Sequence, residues 1–306
     1  MRRLISLVLV LCALVIVGFA LVRVIPGDPA QIIAAQNSGA TEAGVRHALG
    51  LDRPIPVQFA KYVDSLAHGD LGDSYLSGEP VRQVISDRFL LSLKIAVFAL
   101  TVVLLISIPG GMLAAGFMRE GRHRHAEVVF AGVSSVLGAI PEYLLATFLA
   151  FIFAFWLRLL PIAGAVGWKA LILPVLAISI RPAAILMRIV RVEALNVLAV
   201  EYIRTARSKR LQPHVIYFRH VLRNVVTAAL TLGGLLFAGV IGGAVVVENV
   251  FALPGLGTEL VNSVLGRDYP VIQGMILVLG AMVVTVNAIV DFCIAAIDPR
   301  SAARGV

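Results

Sequence analysis

Six stretches of the chain stay apolar for roughly twenty residues or more, and polar segments separate them. They cover residues 4–22, 89–117, 128–156, 170–190, 225–247 and 271–297. A helix needs about 20 apolar residues to cross a hydrocarbon core roughly 30 Å thick. Each stretch therefore predicts a membrane-spanning helix, and the three longest predict tilt or kinks. Pro109 and Pro141 lie inside the second and third stretches, where a break is tolerated if neighbouring helices satisfy the freed backbone groups.

The amino-acid composition also indicates that most of the chain lies in a lipid bilayer. Of the 306 residues, 59% are hydrophobic and 14% are charged, whereas soluble domains carry about 25% charged residues. The predicted fold class is an all-α membrane protein with about six transmembrane helices. The first stretch is long for a signal peptide and lacks a small-residue cleavage site, so we interpret it as an uncleaved anchor. Cys12 and Cys293 lie in apolar runs without metal-ligand spacing and read as small apolar residues.

The net charge of +8 is distributed by side of the membrane. With the N-terminus inside, the inner segments are 1–3, 118–127, 188–224 and 298–306. They hold about 15 basic and 5 acidic residues, whereas the outer segments hold about 9 basic and 11 acidic residues. Excess Lys and Arg mark cytoplasmic loops. The positive charge is thus a topology signal, and binding of nucleic acid is not needed to explain it.

The largest outer segment, 23–88, is rich in Gly, Asp and Pro turns. Between the turns, 41–49 and 55–68 are predicted to form short helices, the second with an apolar face of Val57, Tyr62 and Leu66. The segment is either a compact linker or a docking surface for something outside the cell. Its aspartates do not follow EF-hand spacing, so a calcium site is rejected; they are Asp28, Asp52, Asp70 and Asp73.

The inner segment 188–224 carries two apolar stripes at helical spacing. The first comprises Leu195, Leu198, Tyr202 and Ala206, and the second comprises Leu211, Val215, Phe218 and Leu222. They predict two short amphipathic helices with a break near residues 209–213. Such helices either lie on anionic lipid headgroups or act as a lever that a cytoplasmic motor pushes. The helical pattern alone leaves both interpretations open.

The same segment resembles a known family. EYIRTARSK at 201–209, followed by RHVLRN at 219–224, resembles the ATPase-contacting loop of ABC importer permeases, and within them the dipeptide/oligopeptide/nickel permease family. Other motifs agree in their order around the predicted spans. They are RVIPGDP at 23–29, GDLGDSY at 69–75, ENVFALPGLG at 248–257, RDYP at 267–270 and DPR at 298–300.

The resemblance implies a type I ABC importer permease fold and a multi-pass protein of the bacterial inner membrane with both termini cytoplasmic. It implies an anchor at 1–22, an extracytoplasmic region at 23–88, a permease domain at 88–298 with a coupling loop at 191–224, and a tail at 299–306. Its implied partners are a second homologous permease, two cytoplasmic ATPases and an external binding protein. No phosphate-binding loop is present, so ATP and Mg are expected on the ATPases, and no cofactor, metal or catalytic residue is expected here.

The resemblance also implies which residues contact the ATPase: Glu201, Tyr202, Thr205, Ala206, Arg207, Lys209 and Leu211. One position departs from the family, which usually has Gly where this chain has Arg210. Gly adopts a left-handed backbone freely, whereas Arg incurs strain. Either the chain turns one residue later, at 211–213, or the loop is set differently against its partner.

Two charged residues inside predicted spans, Arg181 and Glu142, are candidates to line a translocation path, because ionisable groups in a membrane are costly. They either pair with each other or serve the solute, and Glu142 alternatively lies at an interface. An ion-coupled secondary transporter has similar features and is the rival hypothesis. A polytopic membrane enzyme fits less well, because the sequence holds no matching catalytic motif. The solute remains open among dipeptides, longer peptides, nickel chelates and glutathione.

Overall fold

A computed structural model describes residues 2–24, 28–36, 41–118, 123–161 and 167–297. Three predicted features lie at least partly outside this range: the Pro-Gly of the RVIPGDP motif at 26–27, the DPR motif at 298–300 and the tail at 299–306. The described chain is mainly helical. Its α-helices are α1 Arg2–Val24, α2 Pro29–Gln36, α3 Glu42–Ala48, α4 Ile55–Ala67, α5 Val81–Phe117, α6 Arg124–Ala139, α7 Glu142–Leu149, α8 Lys169–Ala199, α9 Glu201–Ser208, α10 Pro213–Val215, α11 Leu222–Val250, α12 Leu256–Gly266 and α13 Tyr269–Ile297.

Two segments are wound more widely, as π-helices. Ala150–Trp156 continues directly from α7, and Ile216–Val221 joins α10 to α11. π-helical turns are rare and occur mostly as single turns within α-helices, frequently at functional sites.

Four of the helical stretches are long and apolar enough to span a membrane: Val81–Phe117, Lys169–Ala199, Ile216–Val250 and Tyr269–Ala296. A fifth span forms if α6 and the helix after it are taken together. Leu9–Val24 of α1 is also apolar, but it is shorter than these four stretches. The all-α membrane fold is therefore confirmed, and the number six stays a prediction.

The third predicted span is broken where Pro141 stands. Helix α6 ends at Ala139, and the chain bends by 96° before continuing as α7. Ile140 and Pro141 both have extended backbones, with ψ angles of 125° and 145°. Proline disfavours a helical conformation in the residue before it, which explains the break at Ile140. Pro109, by contrast, lies within a continuous α5.

The described chain forms two compact units, Met1–Leu93 with Pro254–Val284, and Lys94–Leu253 with Thr285–Val306. In the first unit, α3 and α4 confirm the two short helices predicted in the outer segment. The predicted apolar face of α4 is wrong at Val57, which is 45% exposed. Phe59 takes that place, because its ring meets Phe19 of α1 at 4.9 Å between centroids, and Tyr62 stacks on the same ring.

A buried carboxylate ties two sequence motifs together in the first unit. Asp268, at the junction of α12 and α13, is 2% exposed. It accepts hydrogen bonds from the Ser74 hydroxyl and, at 3.0 Å, from the Tyr75 N–H. The 69–75 and 267–270 motifs are therefore structural neighbours. Helix α12, Leu256–Gly266, was not predicted from the sequence.

The second unit is built around α8, whose buried residues follow one another along most of its length. Helix α5 comes close to α8 at Gly111. A Cβ atom there would lie 2.5 Å from Val190 Cγ1 and 2.6 Å from the carbonyl oxygen of Met187. Only glycine permits this approach of the two backbones, because the obstructing carbonyl oxygen belongs to the main chain.

Candidate functional site

The predicted first amphipathic helix is divided between two helices. Leu195 and Leu198 belong to the last turns of α8, and α9 begins only at Glu201. Val200 separates the two with an extended backbone, at φ −69° and ψ 147°. The sequence predicted one continuous apolar face of Leu195, Leu198, Tyr202 and Ala206. This prediction is wrong, because the break at Val200 rotates α9 relative to α8. Tyr202 is 45% exposed as a result.

Helix α9 has a buried face and an outward face. Ile203 and Ala206 form the buried face, at 0% and 7% exposure. On the other side, Glu201, Tyr202, Thr205 and Lys209 are exposed, and Arg207 is half-buried. Among the residues predicted to contact an ATPase, Ala206 is thus the one whose side chain packs inside the unit. The remaining ones lie where a partner can reach them, together with Leu211, which is 40% exposed.

The turn after α9 places Arg210 in the left-handed region, at φ 58°. Its N–H donates to the carbonyl oxygen of Arg207 at 2.9 Å, and the Leu211 N–H donates to that of Ala206 at 3.2 Å. These two bonds form the Schellman motif that ends many helices, in which the left-handed residue is usually Gly. Of the two alternatives, the one in which the chain turns one residue later is therefore wrong, because Arg210 itself makes the turn and bears the strain.

The second predicted stripe is wrong for a geometrical reason. In an α-helix Leu211, Val215, Phe218 and Leu222 share a face, but residues 216–221 are π-helical. A π turn closes its hydrogen bonds between residues five apart and so changes which side chains point inward. Ile216 and Val221 are accordingly the buried pair, at 4% and 0% exposure, and Phe218 is 71% exposed. This segment runs without interruption into α11, so it is the start of a long helix.

The side chain of Tyr202 contacts residues at and just before the start of α11. The Asn224 side-chain amide donates to the Tyr202 hydroxyl oxygen at 3.3 Å and to the carbonyl oxygen of His220 at 2.8 Å. The rings of Tyr202 and His220 lie 6.1 Å apart. These contacts orient an exposed aromatic side chain, so Tyr202 is presented at the surface in a defined position.

One buried cluster connects α9 to the spans. Ile203 and Ala206 belong to the same group of packed apolar side chains as residues of α5, α8 and α11. The cluster also includes Ile216 and Val221 of the π-helical segment. Protein interiors are close-packed and transmit strain. The buried face of α9 therefore packs against the same side chains as the ends of the helices on either side of it.

Arg181 and Glu142 form an ion pair. Arg181 Nη1 lies 2.9 Å and 3.1 Å from the two carboxylate oxygens of Glu142. Arg181 Nε also donates to the carbonyl oxygen of Gly138 at 3.3 Å. The Arg181 side chain is 43% exposed and that of Glu142 is 22% exposed, so neither is fully buried. Pairing with each other was one of the alternatives that the sequence left open, and the structure shows this pairing. A role of the two residues in a translocation path stays a prediction.

The ion pair bridges the break between α6 and α7. In a continuous helix the Gly138 carbonyl would accept the N–H of Glu142, and the bend frees it for Arg181. A cation at the C-terminus of one helix and a carboxylate in the first turn of the next both complement the helix dipoles. Gly243 of α11 lies against the pair, since a Cβ there would be 3.4 Å from Glu142 Cγ. Neither Gly138 nor Gly243 was predicted from the sequence.

Among the described residues, no group of three or more His, Cys, Asp or Glu side chains is arranged to hold a metal ion. The architecture is that of a multi-pass α-helical membrane protein with one broken span and a short, packed helix between two spans.

The chain belongs to the binding-protein-dependent transport system inner membrane component family, whose model matches residues 107–302. The N-terminal model of the same membrane components matches residues 1–96. It is therefore a permease subunit of an ABC importer and a multi-pass protein of the inner membrane. Its transport system includes an ATPase and a substrate-binding protein.

Curated relatives agree over nearly the whole chain. A putative peptide transport system permease protein of Brucella abortus is 36% identical, covering 98% of this chain and 97% of its own. A probable peptide ABC transporter permease of Sinorhizobium fredii is 35% identical over the same shares. The glutathione transport system permease protein GsiC of Shigella flexneri is 36% identical, covering 97% of this chain and 96% of its own.

Proposed function

We propose that this permease subunit forms half of the translocation path for peptides or a related small solute, and that ATP hydrolysis on partner subunits drives it through α9. The names of the relatives support this solute class, since they include peptide and glutathione permeases. The complete importer contains a second homologous permease, two cytoplasmic ATPases and an external binding protein. The chain itself carries no cofactor, because the ATPases bind ATP and Mg.

The observation that carries the coupling role is the two-sided character of α9. Its buried face belongs to the cluster that joins the spans, and its outward face presents Glu201, Tyr202, Thr205 and Arg207. Lys209 and Leu211 extend this face into the turn. A short helix with side chains ready to enter a groove is a recurring recognition element. In this proposal Ala206 acts as a packing residue beneath the contact surface.

Nucleotide drives transport only if it favours one arrangement of the spans over another, because a ligand shifts an equilibrium by its differential affinity. ATP binding closes the ATPases and moves α9 with them. Through Leu198 of α8 and Val221 of the π-helical segment, both in the shared cluster, that movement tilts the two spans that α9 joins. The proposed sidedness follows the positive-inside distribution, with α9 and both termini in the cytoplasm.

Arg181 and Glu142 are the proposed contacts with the solute. A peptide carries both a carboxylate and an ammonium group, and each can replace one partner of the ion pair at the break between α6 and α7. The partial exposure of both side chains supports access. The exchange is close to balanced in energy, because each charge keeps an opposite charge beside it.

Reconstitution of the permease pair with its ATPases and binding protein in proteoliposomes tests this function. We expect uptake of labelled peptide that requires ATP and stops when the ATPases are inactivated by substitution. Uptake that persists with inactive ATPases and follows an ion gradient would overturn the proposal in favour of a secondary transporter. A purified chain that forms a stable complex without any ATPase would contradict it as well.

A further inference from the structure

The first unit contains a cavity of about 530 Å³ between the end of α1, helix α4 and the start of α13. Small-molecule sites commonly have volumes of about 300–1,000 Å³ and combine aromatic surface with a few polar groups. Here Phe19, Tyr62 and Tyr75 supply aromatic surface, and charged side chains lie around them. No part of the coupling mechanism uses this cavity.

The charges that line the cavity do not balance. Arg46 is neutralised by Asp28 in a close ion pair. The Arg23 guanidinium donates hydrogen bonds to the Phe19 carbonyl oxygen at 2.8 Å and to Gln58 Oε1 at 2.7 Å. Two further cations line the cavity, Arg53 and Lys61, and neither side chain forms an ion pair with a described residue.

Among the described residues that line the cavity, one further carboxylate is present, and it does not neutralise both cations. Asp70 also lines the cavity, and its Oδ1 atom already accepts a hydrogen bond from the Gly72 N–H at 2.9 Å. The cavity therefore keeps an excess of positive charge in an aromatic setting. A carboxylate is a group that Lys and Arg side chains bind through charge-assisted hydrogen bonds.

The Tyr62 hydroxyl adds an unused hydrogen-bonding group. Its oxygen is buried and has no partner among the described residues, and a buried polar group without a partner is costly. Burial raises the pKa of Tyr62 to about 12. Burial, together with the negative charge of Asp268, raises the pKa of Tyr75 to about 12. Both phenols consequently remain protonated at neutral pH and can donate a hydrogen bond.

We propose that this cavity binds a small molecule bearing a carboxylate next to an apolar or aromatic group, with Arg53, Lys61 and the Tyr62 hydroxyl as the recognition groups. The site is separate from the Arg181–Glu142 pair and does not depend on which solute the importer carries. Its ligand stacks against the aromatic side chains while its carboxylate meets the two cations.

Saturation-transfer NMR on the full-length chain in nanodiscs tests the site with N-acetyl-phenylalanine and its neutral amide as probes. We expect saturable binding of the acid and at least about tenfold weaker binding of the amide, since one tenfold step is about 1.4 kcal/mol. The double substitution Arg53→Gln and Lys61→Gln should weaken binding of the acid by a similar factor. Tyr62→Phe should weaken it about fivefold, because it removes one hydrogen bond.

Arg82→Gln is the matched control, because Arg82 is exposed in the same unit and does not line the cavity. It should leave the dissociation constant unchanged, and all variants should keep the thermal unfolding temperature of the parent. Equal binding of acid and amide, or binding that is insensitive to the double substitution, would overturn the proposal. So would weakened docking of the external binding protein in the double variant with unchanged probe binding, since the cations would then serve that protein.

Discussion

Replacing Ile203 with alanine removes the largest side chain of the buried face of α9. Ile203 is fully buried, and its neighbours belong to the cluster that joins α9 to the spans. The substitution deletes three carbon atoms, each worth about 0.8 kcal/mol of lost burial. A residual cavity adds to this loss, and comparable core truncations cost about 2–5 kcal/mol. We expect roughly 2–3 kcal/mol here, because a short helix near the surface can partly collapse into the space.

The loss should appear first as local opening of α9, since breaks at Val200 and Arg210 separate it from its neighbours. Hydrogen exchange followed by mass spectrometry measures this local opening directly. A loss of 2–3 kcal/mol predicts that amides of α9 exchange about 30- to 150-fold faster. In the reconstituted importer, the same variant should transport less solute per ATP hydrolysed, because the packed connection is weakened.

Arg204→Ala is the control for Ile203→Ala, since Arg204 is exposed on the same helix and alanine is a strong helix former. It should leave the hydrogen exchange of α9 close to that of the parent. Exchange within twofold of the parent for Ile203→Ala would refute the reasoning that this side chain fastens α9 to the spans.

Three further predictions concern single features of the second unit. Arg210→Gly should raise thermal stability by about 0.5–1 kcal/mol, because glycine adopts the left-handed turn without strain; an unchanged or lower unfolding temperature would contradict this. Arg181→Gln and Glu142→Gln should each destabilise the chain, and a double-mutant cycle in thermal unfolding should give a coupling of about 0.5–3 kcal/mol; simple additivity would show that the ion pair contributes nothing. Gly111→Ala should cost about 1–3 kcal/mol by overpacking, whereas Gly132→Ala, which meets no neighbouring atom within 4 Å, should be neutral or stabilising; equal effects would contradict the close approach of α5 and α8.

The apolar periodicity predicted the helical membrane fold because lipid imposes long apolar runs on any chain that crosses it. Two prolines indicated possible breaks, and only Pro141 marks one, since it restricts the residue before it while Pro109 lies within α5. The sequence did not predict the 96° bend. That angle depends on how α7 packs against α8 and α11, which are distant in sequence.

The segment at 188–224 contains a short helix, as the sequence predicted, but its detailed shape differs from the predicted one. Helical spacing assigned Phe218 to a buried face, and the π-helical turn moves it to the surface. A change of helical period leaves no signature in a pattern of apolar residues. Ile203 was missed for a related reason, because the break at Val200 resets the face of α9 that points inward.

The Arg181–Glu142 pair was anticipated because unpaired charges are costly in a membrane. The carbonyl oxygen of Gly138 was not, since backbone atoms become acceptors only where a helix stops. At Arg210 a residue that disfavours the left-handed region still occupies it. The Schellman hydrogen bonds and the buried face of α9 together outweigh a strain of about 1–2 kcal/mol.

Cross-linking from Tyr202 shows whether α9 contacts an ATPase. The exposed cysteines Cys12 and Cys293 are first replaced by serine, and Tyr202→Cys is introduced into the assembled importer. If α9 contacts an ATPase, we expect a cross-link to an ATPase subunit whose yield changes when ATP is added, and no cross-link from Arg82→Cys. A Tyr202→Cys variant that gives no ATPase adduct, or no more than Arg82→Cys gives, would contradict it.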